Sequence, residues 1–209
     1  MTEKLLGNHI VDQSLKWNEH LANSKSSLLK QLNSRINGLK MISRNAKFKT
    51  RLMIANGAVH SKVVSLITLW GCAQQYLLNA VQVQQLTAAR TVCGFQSLRW
   101  SRARLLRAVG WLSIRQLVVY HTVLQAHKTH STGRPSLLYD TLTSQYPNQT
   151  RGATCGQIRI HENISTKSFK YRAMVFYNRV PVDVRQGTLP TVKKKLKQWV
   201  VNNIPIDWS

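Results

Sequence analysis

What most constrains this chain is a long stretch with no acid in it. From His20 to Tyr139, 120 residues carry seventeen Lys and Arg and not one Asp or Glu. A folded domain normally mixes both signs on its surface. This stretch cannot neutralise itself, so it needs an anion from outside, and a nucleic-acid phosphate backbone is the anion that fits. Over all 209 residues the formal net charge is +23. Such a charge speaks to partners and solubility and leaves the fold open. A ribosomal-type or histone-like protein would share it, and that too is nucleic-acid binding. Since 43% of residues are hydrophobic, the chain is expected to fold and not to behave as a disordered basic tail. Its length allows one domain or two small ones.

Compartment and membrane follow from what is missing. Met1 to Ile10 lacks the basic-then-apolar pattern of a signal peptide. The longest apolar run, Val63 to Trp70, is interrupted by Ser65 and Thr68 and is too short to span a bilayer. Cys72, Cys93 and Cys155 are odd in number and far apart, so they form neither a disulfide framework nor a zinc pattern. The expectation is an intracellular protein of the nucleus or cytoplasm, with no membrane partner. The glycosylation sequons at Asn148 and Asn163 then read as chance matches.

Apolar spacing is helical almost throughout. Lys4 to Asp12 suggests a short strand pair or hairpin. From Leu15 to Ile42, Trp17, Leu21, Leu28, Leu32, Ile36 and Leu39 step by three, four or seven and share one face. Lys25 and Arg35 fall at the edge of that stripe, where their stems pack and their charges reach outward. Lys47 to Trp70 predicts one continuous helix, with Phe48, Leu52, Ala55, Val59, Val63, Leu66 and Trp70 inward. Its first turn carries Lys47, Lys49 and Arg51, against the helix dipole. A bound phosphate would relieve that conflict, and three solvated cations are the plain alternative. Gln75 to Cys93 is a third helix, with Leu78, Val81, Ala88, Ala89 and Val92 inward. It is rich in Gln, which suits water or a polar groove, and Gly94 caps it.

The densest basic-aromatic cluster follows: Arg99, Trp100, Arg102, Arg104 and Arg107. Arg offers bidentate phosphate contacts, and Trp can stack on a base or sugar. The alternative is a core Trp beside a solvated Arg face. Ser113 to Gln116 is a capping box opening a helix to about His130. Composition shifts near Gly133, where acids return and Gly and Thr increase. That is the one candidate boundary, between 1–133 and 134–209. Beyond it, Gln157 to Ile160 alternates like a short edge strand, and Lys167 to Val180 is helical with Phe169, Ala173, Phe176 and Val180 inward. The last helix, Pro190 to Ile204, buries Val192, Leu196, Trp199 and Val200. It presents Lys193, Lys194, Lys195 and Lys197 as a further phosphate contact or a solvated face.

Enzyme chemistry finds little support. The seven acids are Glu3, Asp12, Glu19, Asp140, Glu162, Asp183 and Asp207, and no two lie within six residues. Two-metal phosphoryl transfer needs carboxylates clustered in space. His127 and His130 are three apart but have no Cys or acid near them, so surface histidines are the expectation and no metal or other cofactor is assigned. There is no Gly-rich phosphate loop, and the lone cysteines have no placed base.

In order along the chain, several short motifs resemble one family. Lys4-Leu5-Leu6-Gly7 and Leu15-Lys16-Trp17-Asn18-Glu19-His20-Leu21 come first. Trp70-Gly71, then Leu78, Gln82, Gln85 and Ala89-Arg90, follow. Gly110-Trp111-Leu112-Ser113, Pro135 to Tyr139, Ser168-Phe169, Tyr177-Asn178-Arg179-Val180-Pro181 and the Lys193 to Lys197 helix complete the set. Together they resemble the part that follows the catalytic palm in reverse transcriptases of non-LTR (LINE-type) retrotransposons. The resemblance implies that Lys4, Leu5, Leu6 and Gly7 are primer-grip-like, and that the later helices form a thumb that holds a template-primer duplex. It also implies that the catalytic Tyr-x-Asp-Asp belongs upstream. No Asp-Asp pair occurs in these 209 residues.

The fold expected is therefore mainly α: a helical thumb-like bundle with a short N-terminal β-hairpin, and a small helical C-terminal region with one candidate short strand. The function expected is non-catalytic binding of RNA or DNA by a reverse-transcriptase fragment, with the palm domain as partner in the parent enzyme. Two alternatives stay open, an organellar or ribosomal-type RNA-binding protein and a docking module that mainly packs on a palm.

Overall fold

In the computed structural model the chain is mainly helical. The structure describes residues 16–136, 138–139 and 168–207, with the backbone alone for 4–6 and 9–11. Gly7 and the candidate strand at Gln157 to Ile160 lie outside the described residues, as do the side chains of Lys4, Leu5 and Leu6. The backbones of β1 (Lys4–Leu6) and β2 (His9–Val11) pair antiparallel, with Leu5 opposite Ile10.

The described chain divides into two compact units. One runs to Arg115 and includes Ile206 and Asp207; the other is Gln116–Pro205. The division does not fall at Gly133, where the composition shifts. Gly133, at φ 65°, follows the last helical residue Thr132, but it ends a helix and not a unit. Composition reports what a surface faces, whereas a unit is set by which side chains bury one another.

In the first unit, α1 (Leu28–Ser43) and α5 (Gln75–Cys93) pack face to face. The stripe Trp17, Leu21, Leu28, Leu32, Ile36 and Leu39 is buried along its whole length. It is not one helix, however. A five-residue π turn, Glu19–Asn23, precedes a break at Ser24, and Ser27 takes extended backbone before α1 begins. The apolar side chains keep one face because the break preserves their direction.

Lys47 to Trp70 departs further from the expected single helix. It becomes α2 (Phe48–Ala55), a π turn (Asn56–His60), α3 (Ser61–Val64) and α4 (Ile67–Trp70). Ser65 turns extended and Leu66 adopts left-handed backbone at φ 50°. Wholly buried Trp70 donates its Nε1–H to the Ser65 carbonyl at 2.8 Å, so an indole serves an acceptor whose helical donor, the Leu69 N–H, bonds the Leu66 carbonyl instead. Ala55, Val59, Val63, Ile67 and Trp70 are buried, while Phe48 and Leu66, expected inward, are exposed.

Helix α5 follows the sequence closely. Leu78, Val81, Ala88, Ala89 and Val92 are buried, and Gly94 ends it at φ 76°. Two of its glutamines are core residues. Gln82 donates to Gln85 Oε1 at 3.0 Å, Gln85 donates to the Leu112 carbonyl at 2.9 Å, and the Ile114 N–H donates to Gln82 Oε1 at 2.7 Å. This closed network holds the entry to α7 (Ile114–Thr132) against α5. Trp111 belongs to the same unit. Its Nε1–H donates to Asn56 Oδ1 at 2.7 Å, and its ring stacks on His60 at 4.9 Å.

The second unit holds most of α7 with α8 (Phe169–Arg179), α9 (Val182–Arg185) and α10 (Leu189–Asn203). Ser168 caps α8 by accepting from the Tyr171 N–H at 3.1 Å. The buried face of α8 is Ala173, Met174 and Tyr177, turned by about one residue from the expected set, so Phe169 and Phe176 are only half-buried. Helix α10 buries Val192, Leu196 and Val200 and exposes its four lysines. Gln116 donates to the Ile204 carbonyl at 2.8 Å, satisfying an acceptor just past the end of α10. Among the described residues no helix is long and apolar enough to cross a membrane.

Candidate nucleic-acid interface

The first unit carries an open groove of about 1000 Å³ where the ends of three helices meet. Its walls are the last turns of α1 and α5 and the first turns of α2. Lys40, Arg44, Arg51 and Arg90 line it, with Phe48, Phe95 and Trp100, and no carboxylate is among the lining residues. Lys40 and Arg44 stand one turn apart at the C-terminal end of α1, and Arg90 stands in the last turn of α5. Cations suit helix C-termini, where the unpaired carbonyls gather partial negative charge. The backbone at these two helix ends thus tolerates Lys40, Arg44 and Arg90, whereas Arg51 stands in the first turn of α2, against the dipole.

Arg51 reaches across from α2. Its Nη1 is 3.5 Å from the Thr91 carbonyl, a long contact, and its Nε is buried without a hydrogen-bond partner among the described residues. The guanidinium also passes Gly94, where an added Cβ would stand 3.4 Å from Nη1. Only glycine adopts the φ 76°, ψ −167° backbone of that position readily, so Gly94 both ends α5 and leaves room for Arg51. Burial pushes the neighbouring Cys93 thiol up in pKa, and the Arg51 charge opposes that rise in part. Cys93 is therefore a poor nucleophile here.

Beyond Gly94, a 3₁₀ turn (Phe95–Arg99) leads to α6 (Arg102–Val109). Ser101 caps α6 by accepting from the Arg104 N–H at 3.3 Å. The Arg104 guanidinium lies 4.6 Å over the Trp100 ring, a cation–π arrangement that fixes the indole at the groove edge.

Of the sequence-predicted contacts, Arg51 and Trp100 line this groove, and Lys47 and Lys49 are exposed beside its Phe48. Lys25 is exposed in the turn before α1. Arg35 is partly committed to the fold, donating to the Ala58 carbonyl of the π turn at 2.8 Å. Arg99, Arg102, Arg104 and Arg107 are exposed, but none lines the groove. Arg102 pairs with Asp207 at 2.6 Å, both more than half exposed. Lys193, Lys194, Lys195 and Lys197 are exposed on α10 in the other unit, and Lys195 donates to the Asp183 carbonyl at 2.8 Å. Lys40, Arg44 and Arg90 escape sequence reasoning because each is an isolated residue at the end of its helix, and Phe95 because it opens the short 3₁₀ turn after Gly94. The usable signal is the recurrence of cations in C-terminal turns.

Among the described residues no group of three or more His, Cys, Asp or Glu could hold a metal ion. No family model, curated protein or solved structure matches this chain.

Proposed function

We propose that this chain is a non-catalytic nucleic-acid-binding segment, of the kind that forms the thumb of a non-LTR retrotransposon reverse transcriptase, and that it grips a phosphodiester backbone in the groove between α1, α2 and α5. The observation that carries this reading is a concave site with four cations and three aromatic side chains and no carboxylate in its lining. Such a site attracts a polyanion and gives nucleobases or sugars a surface to lie on. Nothing in it offers a base-reading element, so binding is sequence-tolerant. The natural partners are RNA or DNA, including an RNA–DNA template-primer, and a palm domain in the parent enzyme.

Salt titration of filter binding tests the proposal. The four groove cations with Lys47 and Lys49 engage about six phosphates, so log K falls against log salt with a slope near −4 to −5. Changing Lys40 and Arg44 together to Gln lowers that slope by about two. A flat salt response of the unaltered chain rejects the reading.

A docking role is favoured by a separate observation. Tyr76 and Val83, seven residues apart on α5, are both more than half exposed and share one helix face. That face suits contact with a palm domain, and the two roles are compatible.

A further inference from the structure

The turn that follows α5 is built inside out. In Phe95–Arg99 the polar Ser97 is 0% exposed, while Phe95 is 90% exposed and Leu98 is 67% exposed. The cause is local. Ser97 Oγ donates to the Gly94 carbonyl at 2.6 Å and lies 3.4 Å from the Arg90 carbonyl, and its N–H donates to the Gly94 carbonyl at 3.0 Å. Ser97 is thus tied through both its hydroxyl and its N–H to the Gly94 carbonyl just past α5, which draws the serine inward and turns its apolar neighbours out. Residues three apart on a 3₁₀ turn lie one above the other. Phe95 and Leu98 thus stand on one face as a wedge at the groove that also holds Arg44 and Arg90.

Exposed apolar side chains are ordinary singly, but this pair stands together at the rim of a charged groove, where a ligand can cover it. The flanking charge selects which partner. A wedge set among cations, in a groove without a lining carboxylate, is complementary to a polyanion that carries flat apolar faces. An unpaired nucleobase on its sugar-phosphate strand meets both requirements. We propose that Phe95, supported by Leu98, stacks on an unpaired base, so that the groove prefers single-stranded nucleic acid or a strand end over uninterrupted duplex. This rests on the backbone-binding reading and specifies the ligand of the same groove.

The experiment uses the full 209-residue chain and three fluorescein-labelled probes at one salt concentration: an oligothymidylate, an abasic strand of the same length, and a blunt duplex. The two single strands carry the same phosphates and differ only in bases. The chain binds oligothymidylate about tenfold more tightly than the abasic strand, which corresponds to one stacked base. Phe95→Ala abolishes that preference by bringing oligothymidylate binding down to the level of the abasic strand, and Phe95→Trp retains the preference. Because Phe95 is almost wholly exposed, its replacement leaves the melting temperature in place. Equal binding of the two strands by the unaltered chain, or a preference that survives Phe95→Ala, overturns the wedge and leaves backbone binding standing. Failure to bind any probe overturns both. Self-association that Phe95→Ala removes, without a base preference, assigns the wedge to a protein contact and overturns the proposal.

Discussion

Arg44 and Arg90 at the groove of the first unit serve a different purpose from Arg172 and Arg185 in the second. In the first, Arg44 is exposed and Arg90 half-buried at an open groove, and no carboxylate is among the residues that line it. In the second, Arg172 and Arg185 are each only 8% exposed, and the Arg185 guanidinium lies 4.6 Å over the Tyr177 ring. Burial pushes the Tyr177 hydroxyl up in pKa, and the Arg185 charge and hydrogen bond oppose that rise. His130 stacks on the other partner of this arrangement, Tyr177, at 6.4 Å. The lesson concerns position and not residue type. A guanidinium at the mouth of an open groove, as Arg44 is, stays hydrated and available to an outside anion. One beside an aromatic ring in a helix seam spends its planar face on the fold.

The sharpest way to break this contrast is to remove one arginine from each side. Arg185→Ala removes a desolvated cation–π contact and the packing of its stem, and lowers the unfolding free energy by about 2 kcal/mol. Arg44→Ala changes it by less than about 0.5 kcal/mol, since it is an exposed side chain away from any core contact. Urea denaturation measures both. Equal effects would show that the two arginines are used alike.

Much of this architecture was legible in the sequence, and the exceptions have a common cause. The α5 boundaries, its inward face and its Gly94 terminus follow from spacing and one glycine, because those are local signals. The stripe from Trp17 to Leu39 was legible as a face but not as two segments. The break at Ser65 and Leu66 was hidden because Val63, Leu66 and Trp70 keep helical spacing through it; the Trp70 indole that accommodates the turn acts through tertiary position. The groove was half legible for the same reason. Arg51 stands in a basic run, whereas Lys40, Arg44 and Arg90 meet it only after α1 and α5 pack. The abundance of Gln on α5 signalled polarity without telling that Gln82 and Gln85 are buried in a closed network.

A smaller effect makes the second unit sensitive to pH. Burial lowers the pKa of His121 from the ordinary value of 6.5. Burial first, then the charges of His130 and Arg185, lower that of His127 from the same value. The unfolded chain therefore takes up protons that these folded histidines refuse. Their contribution to stability is complete above the unfolded value and is lost as pH falls from about 6.5 through the folded values. Thermal melts of the second unit's tertiary signal shift downward between neutral and mildly acid pH. His127→Gln weakens that dependence. A melting point that rises on acidification contradicts the assignment.

The smallest effect lies at Asp207, one of the acids described in the first unit. Its Oδ1 accepts from Arg102 at 2.6 Å, and its backbone carbonyl accepts from Arg115 at 2.9 Å. The ion pair is exposed on both sides, so water and salt screen it and its net worth is near zero. Asp207→Asn keeps the backbone contact and the side-chain shape, and changes stability by less than about 0.5 kcal/mol. It nevertheless removes a negative charge and leaves Arg102 unneutralised. Under the backbone-binding reading, affinity for a short single strand then rises by about twofold at low salt and returns to the original value once salt screens the exposed charges. Anisotropy titrations at two salt concentrations read this directly. A change that persists at high salt places Asp207 in the contact itself, and a fall in affinity argues that the Arg102–Asp207 pair orders the start of α6 for binding.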